Sequence, residues 1–225
     1  MRHAAWLETI ASRLDANTLA VFAGAGSYGK KLFPLELAAC MAAKNGHSVL
    51  CFSLEEDMAS LSKKMVAIND FFEFESTIVI NDGVDFTADK IYEQCAGKIM
   101  TENVGFVVFD YLQLSCEREG YDEALATFHK IAREFHVSVF LSVALPKDRL
   151  YVDGRQPQVA DLEQPSAFDG RVDDFFFIYP PDRLDTSINS RLRTITHLSP
   201  RHTEKFNYYV KIAADSENGH IIIPV

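Results

Sequence analysis

A repeated alternation of short apolar runs with stretches of helical spacing limits the folds open to this chain. The runs Leu19 to Ala23, Ser48 to Ser53, Thr77 to Ile80, Val104 to Phe109 and Val137 to Val143 are continuously apolar or nearly so. Strands covered on both faces read this way, whereas a strand with one face in water alternates. Between them, Leu35 to Ala42, Met58 to Ile68, Ile91 to Ile99 and Glu123 to Phe135 carry apolar residues at helical intervals, with Thr87 placed as a helix N-cap. Strand and helix therefore alternate at least four times, which predicts an α/β fold: a mostly parallel central sheet flanked by helices, with right-handed crossovers. Asp174 to Tyr179 predicts a further strand. Phe206 to Ile212 and His220 to Val225, around Asn218-Gly219, predict a C-terminal antiparallel hairpin, reached through a long polar connection from Pro180 to Thr203. At the other end, Trp6, Leu7, Ile10 and Leu14 predict a short amphipathic helix within residues 1–17, packed on the edge of a single domain spanning 18–225. With 225 residues, 48% of them hydrophobic, the chain can bury one large core.

The first apolar run leads straight into Gly24-Ala25-Gly26-Ser27-Tyr28-Gly29-Lys30, which has the G-x-x-x-x-G-K spacing of a phosphate-binding loop opening a helix. Glycines let backbone N–H groups turn toward phosphate oxygens, and the helix N-terminus and a lysine add positive potential. The candidate nucleotide-binding residues are therefore Gly24, Gly26, Ser27, Tyr28, Gly29, Lys30 and Lys31. The alternative is a glycine-rich strand-to-helix turn without a ligand. Lys31 stands where such loops carry Ser or Thr for a magnesium ion, and an ammonium cannot ligate a cation. Pro34, close behind, requires either a late helix start or a distorted first turn.

Two acids sit at ends of predicted strands. Glu55 follows the second run, where a carboxylate can orient or deprotonate an attacking water; alternatively Glu55, Glu56 and Asp57 cap the next helix. Asp110 closes the run Val104 to Phe109, the position from which an acid holds magnesium through its water shell.

Composition excludes some functions. A charge of 22 minus 32, or −10, with a pI near 5.1, argues against a protein that grips nucleic acid over its whole surface. The best basic cluster, Lys147, Arg149 and Arg155, falls in Leu145 to Ser166, a stretch interrupted by Pro146, Gly154, Pro157 and Pro165 that reads as a long, mobile loop. Cysteines 40, 51, 95 and 116 form no C-x-x-C pair, which predicts reduced thiols in a cytoplasmic setting. A signal sequence and a membrane-spanning run are not expected.

The loop GSYGK, the strand CFSLE (Cys51 to Glu55), the strand VVFDYLQL (Val107 to Leu114) and DLEQPSAFDGRVDDFFFIY (Asp161 to Tyr179) together resemble the ATPase domain of DnaB-type replicative DNA helicases, which has a RecA-like core. Order and spacing agree from about residue 18 onward. The resemblance implies ATP and magnesium as cofactors, with Lys30 on the β and γ phosphates, Glu55 as catalytic glutamate and Asp110 as the magnesium-associated acid. It also implies a homo-oligomeric ring or a partner helicase subunit, and single-stranded DNA as a partner, with the 145–166 loop as its candidate contact. Three positions depart from that pattern. Lys31 replaces the loop Ser or Thr, Val143 replaces a γ-phosphate-sensing Gln, and Lys211-Ile212-Ala213 lacks the arginine of the family's K-x-R. Two functions follow: a helicase-like ATPase with impaired hydrolysis, or a non-catalytic RecA-like interaction or regulatory module.

Overall fold

The structure is a computed structural model that describes residues 4–24, 29–53, 56–81, 87–113, 120–146, 149, 155–180, 192–200, 203–215 and 219–225. Its elements run α1 (Ala5–Ala11), β1 (Leu19–Gly24), α2 (Leu32–Asn45), β2 (Ser48–Ser53), α3 (Met58–Phe72), β3 (Thr77–Asn81), α4 (Ala88–Glu102), β4 (Val104–Asp110), α5 (Tyr121–Glu134), β5 (Ser138–Ala144), β6 (Asp174–Tyr179), β7 (Leu192–Ser199), β8 (Glu204–Asp215) and β9 (Gly219–Pro224). The strands form one sheet in the order β3-β2-β4-β5-β1-β6-β7-β8-β9, parallel through β6 and antiparallel beyond it.

The continuous apolar runs are explained by two cores. Along β1, Ala20 and Phe22 face α1, α2 and α3, while Leu19, Val21 and Ala23 join the core on the side of α4 and α5. Successive side chains point to opposite faces of a strand, so a strand covered on both sides needs apolar residues at every position. In the first core Phe22 stacks on Phe176 with ring centroids 4.7 Å apart and meets Phe33 edge-on at 5.5 Å. Trp6 stacks on Phe33 at 5.8 Å, and Leu7 and Ile10 are buried, so α1 packs into this core. The helix is shorter than the spacing from Trp6 to Leu14 suggests: Ser12 still returns its backbone N–H to Glu8, but the Arg13 N–H turns to Ile10 in a tighter bond that ends the helix.

Two polar stretches are more ordered than they read. The segment expected to be a polar connection after Pro180 contains β7, inserted between β6 and β8, so the C-terminal antiparallel part comprises β6 to β9 rather than a hairpin alone. Its polar residues are buried against partners: Thr196 Oγ1 lies 3.0 Å from Tyr179 Oη and donates to Asn207 Oδ1 at 2.7 Å, and His197 Nε2 lies 2.8 Å from Asp174 Oδ1. The 145–166 stretch, expected to be a mobile loop, is folded in its second half. Arg155 forks onto both carboxylate oxygens of Asp161 at 2.6 Å, and short 3-10 turns at Val159–Asp161 and Pro165–Phe168 bury Leu162, Ala167 and Phe168. The Arg155 hydrogen bonds outweigh partial burial and hold the Asp161 carboxyl below its ordinary value. Lys147 and Gly154 lie outside the described residues.

No helix among the described residues is long and apolar enough to cross a membrane. Cys40, Cys51 and Cys95 are buried free thiols; burial pushes Cys40 and Cys95 up to about 12 and Cys51 higher still, so they pack as small apolar groups. Cys116 lies outside the described residues.

Candidate functional site

The C-terminal ends of β4, β5 and β1 lie side by side at one edge of the sheet, the edge where open α/β sheets gather ligand-binding groups. β1 delivers Gly24. A Cβ at that position would sit 3.0 Å from the Ile178 carbonyl oxygen and 3.4 Å from Lys30 Cβ, so glycine relieves a tight approach to the backbone of β6 while Lys30 packs at ordinary contact distance. The Gly24 carbonyl accepts the Leu145 N–H at 3.0 Å, tying the end of β1 to the exit of β5. Gly29 has φ +96°, a backbone conformation that disfavours any other residue, and its missing Cβ would meet Ile222 Cδ1 at 3.2 Å. Its carbonyl accepts the Phe33 N–H at 2.9 Å, which launches α2. Gly26, Ser27 and Tyr28 lie outside the described residues.

Helix α2 begins at Leu32, after both lysines, with Lys31 in the cap position. This late start resolves the position of Pro34. It falls in the first turn, where a backbone N–H has no intrahelical partner to lose.

The two lysines diverge. Lys30 is buried; its carbonyl accepts the Ser142 hydroxyl at 3.0 Å, and its ammonium lies 4.5 Å from the centre of the Tyr111 ring. Lys31 reaches Asp110, with Nζ 3.2 Å from Oδ2. The Asp110–Tyr111 peptide is cis. Burial lowers the Lys30 ammonium from its ordinary value, opposed by Asp110 and assisted by Lys31. Burial raises the Asp110 carboxyl, and the two lysines hold that rise back. The second oxygen of Asp110, Oδ1, is buried with no hydrogen-bond partner among the described residues. The first turn of α2 carries no acid, and among the described residues the edge presents two ammonium groups and a helix N-terminus around Asp110, with Glu56 near enough to act on both Asp110 and Lys31. Such an edge suits a ligand with several anionic oxygens.

Gly24, Gly29, Lys30, Lys31 and Asp110, singled out from the sequence, thus converge on one place. Glu55 lies outside the described residues. Its neighbours take the capping roles that the sequence also allowed. Asp57 Oδ1 accepts the Ser60 N–H at 2.7 Å as the N-cap of α3, and Glu56 accepts hydrogen bonds from Ser60 Oγ and Lys64. Burial opposes the charge on Glu56, but Lys64 and Ser60 hold its carboxyl below the ordinary value. Val143 is fully buried in the core on the α4 and α5 side, and Lys211 is exposed on β8.

Three residues of the edge went unnoticed as single positions. Tyr111 supplies the ring beneath the Lys30 ammonium, Ser142 fixes the Lys30 backbone, and Gln113 bonds the Ala144 N–H at 3.0 Å and its carbonyl at 2.8 Å. Tyr111 and Gln113 stand inside the DYLQL stretch, so proximity to Asp110 was the available signal.

Among the described residues the donor set does not fit a divalent metal ion. One Asp110 oxygen is already paired with an ammonium, and that ammonium stands at the position that supplies a hydroxyl ligand in magnesium-binding loops. Among the described residues no group of three His, Cys, Asp or Glu side chains is arranged to hold one.

No protein-family model matches the chain. In sequence it is 22% identical over 222 residues to the replicative DNA helicase DnaC of Bacillus subtilis (strain 168), a match covering 82% of this chain and 48% of that protein. It is 21% identical over 208 residues to the replicative DNA helicase DnaB of Geobacillus stearothermophilus, covering 78% and 46%. The chain spans about half the length of these relatives. In structure it is similar to a solved ATPase domain, with a TM-score of 0.74 at 17% identity, covering 94% of this chain and 86% of that one. A DnaB-like replicative helicase solved with a view to its interactions with primase gives 0.70 at 19% identity, covering 92% and 59%. A KaiC-like protein from Pyrococcus horikoshii OT3 gives 0.64 at 17%, covering 94% and 91%.

Proposed function

We propose that this chain, a RecA-like domain of the DnaB type by fold, binds ATP at Gly24 to Lys31 and derives from an ATP-driven DNA-unwinding or translocating machine. The observation that carries the reading is the convergence of Gly24, Gly29, Lys30, Lys31 and Asp110 at the ends of β1 and β4. Lys30 would leave the Tyr111 ring to meet the β and γ phosphates. Glu55, two residues beyond the end of β2, would be the catalytic carboxylate. Hydrolysis is impaired on this reading. The loop hydroxyl is an ammonium, the Gln that senses the γ-phosphate is a buried Val143, and no arginine follows Lys211 at the finger position. Arginine fingers alone contribute about 10³ to 10⁵ in rate in P-loop enzymes. Single-stranded DNA near residues 145–166 and assembly into a ring, or with a helicase subunit that supplies the missing groups, extend the same reading. A cytoplasmic location goes with it.

The test is calorimetric titration of ATP and a non-hydrolysable analogue into wild type and Lys30→Ala. Binding by wild type that is lost in Lys30→Ala supports the site; equal binding by both proteins would refute it. DNA-stimulated hydrolysis that is abolished by Glu55→Gln would support the motor. The three departures at Lys31, Val143 and Ala213 favour a second reading, a module that binds nucleotide without turnover and acts through protein partners; turnover that depends on Glu55 would exclude it.

A further inference from the structure

We infer that Lys31 is a tethered cation standing in for the divalent metal, so that this domain holds its nucleotide as the metal-free polyphosphate. The inference rests on the nucleotide reading above and goes on to name the form of the ligand. Its geometric basis is the ion pair from Lys31 Nζ to Asp110 Oδ2, 3.2 Å long, at the cap position of α2. In P-loop proteins a loop hydroxyl and the acid at the end of this strand jointly hold magnesium. Here the first partner carries a positive charge of its own, and it sits on the second.

A metal ion placed between these groups would be repelled by the ammonium and would lose one of its two carboxylate oxygens to it. An ammonium, by contrast, has three N–H donors. One can remain on Asp110 while the others exchange their contacts within the chain for phosphate oxygens, and Asp110 Oδ1, without a hydrogen-bond partner among the described residues, lies on the same carboxylate to accept a further donor as Lys31 moves. Lys30, 4.5 Å from the Tyr111 ring, brings a second positive charge to the same edge. Two ammonium groups and the N-terminus of α2, less the charge of Asp110, offset part of the charge of a free polyphosphate. A lysine delivers a single charge on a flexible stem and cannot bridge phosphate oxygens by inner-sphere coordination as magnesium does. It therefore suits holding a nucleotide better than stabilising the charge that develops during phosphoryl transfer.

The experiment is calorimetric titration of ATP into the whole chain, once with excess magnesium and once with EDTA, for wild type and Lys31→Thr. Wild type should bind ATP equally under both conditions. Lys31→Thr should bind with magnesium and lose about tenfold in EDTA, the size expected for one charge-assisted contact. Mn²⁺ added with a non-hydrolysable ATP analogue should give a protein-bound electron paramagnetic resonance signal with Lys31→Thr and none with wild type. The wild-type comparison needs no variant, so a poorly folding Lys31→Thr protein leaves the test standing. Wild-type binding that requires magnesium, or a bound Mn²⁺ signal in wild type, overturns the inference and leaves the nucleotide site intact. Wild type that binds ATP under neither condition overturns the nucleotide reading, and the inference with it.

Discussion

The two ends of the parallel sheet use charge in opposite ways. At the end where β1 and β6 begin, Asp173 Oδ2 accepts the Leu19 N–H at 2.8 Å, and both Asp173 oxygens accept Arg133 at 2.8 Å. Beside it Asp174 accepts Thr18 Oγ1 at 2.9 Å and faces His197 at 2.8 Å. Both carboxylates are nearly fully buried and are occupied by donors from α5, β1 and β7. At the other end Asp110 is as deeply buried, but one of its oxygens meets a lysine and the other meets no partner among the described residues. At the first end all four carboxylate oxygens have donors, although Nδ1 of the His197 ring is buried without a hydrogen-bond partner among the described residues. A carboxylate satisfied in this way locks elements together, whereas one left partly unsatisfied is expensive unless a ligand completes it. The first arrangement explains how the sheet is held, and the second stands at the edge where nucleotide binding is proposed.

The sharpest way to break the contrast is Asp173→Ala. It would remove the side-chain acceptor of the Leu19 N–H and leave the Arg133 guanidinium with the Asn17 carbonyl but without its carboxylate, and it is expected to destabilise the fold by about 3 kcal/mol, read as a lower urea midpoint. A result below about 1 kcal/mol would mean that this end is no more locked than the other. Gly29→Ala should have the next largest effect, about 1 to 2 kcal/mol, because it imposes a side chain at φ +96° and presses Cβ against Ile222. Nucleotide affinity should fall in that variant as well, since the distorted turn carries Lys30.

Glu36 sharpens the comparison through pH. It is fully buried on α2, with Oε1 accepting the Ile222 N–H at 2.7 Å and Oε2 without a hydrogen-bond partner among the described residues. Burial raises its carboxyl well above the ordinary value, against the smaller effect of the Ile222 hydrogen bond. Between its unfolded and folded values the native state binds the extra proton, so stability falls as pH rises through that window. Glu36→Gln should flatten that dependence in unfolding curves taken from mildly acidic to mildly alkaline pH, with the variant the more stable at the alkaline end. A wild-type curve that is flat over this window would contradict the assignment. Lys30→Ala should move stability least, by under about 1 kcal/mol, because its charge is desolvated and its backbone contact to Ser142 survives the truncation. A large loss of stability there would recast Lys30 as a structural lysine.

Much of the architecture was legible because strands covered on both faces need uninterrupted apolar runs, and the parallel strands up to β6 supply them. What escaped was the folded part that uses polar residues. β7, with Thr196 and His197, resembles a connection until Tyr179, Asn207 and Asp174 are seen to meet those two side chains. The turns after Arg155 likewise depend on its fork to Asp161, a pairing that no periodicity announces.

The sequence by itself determined the alternation of strands and helices up to β6, the glycine turn with its lysines, and the acid that closes β4, since these follow from apolar periodicity and local spacing. Only the tertiary structure decided that Lys31 turns to Asp110 while Lys30 lies over Tyr111, that Gly24 is small against the Ile178 carbonyl, and that Glu36 is sealed under β9. Those outcomes depend on which side chains the fold deprives of water and which partners it brings within reach. Distance along the chain carries no information about either.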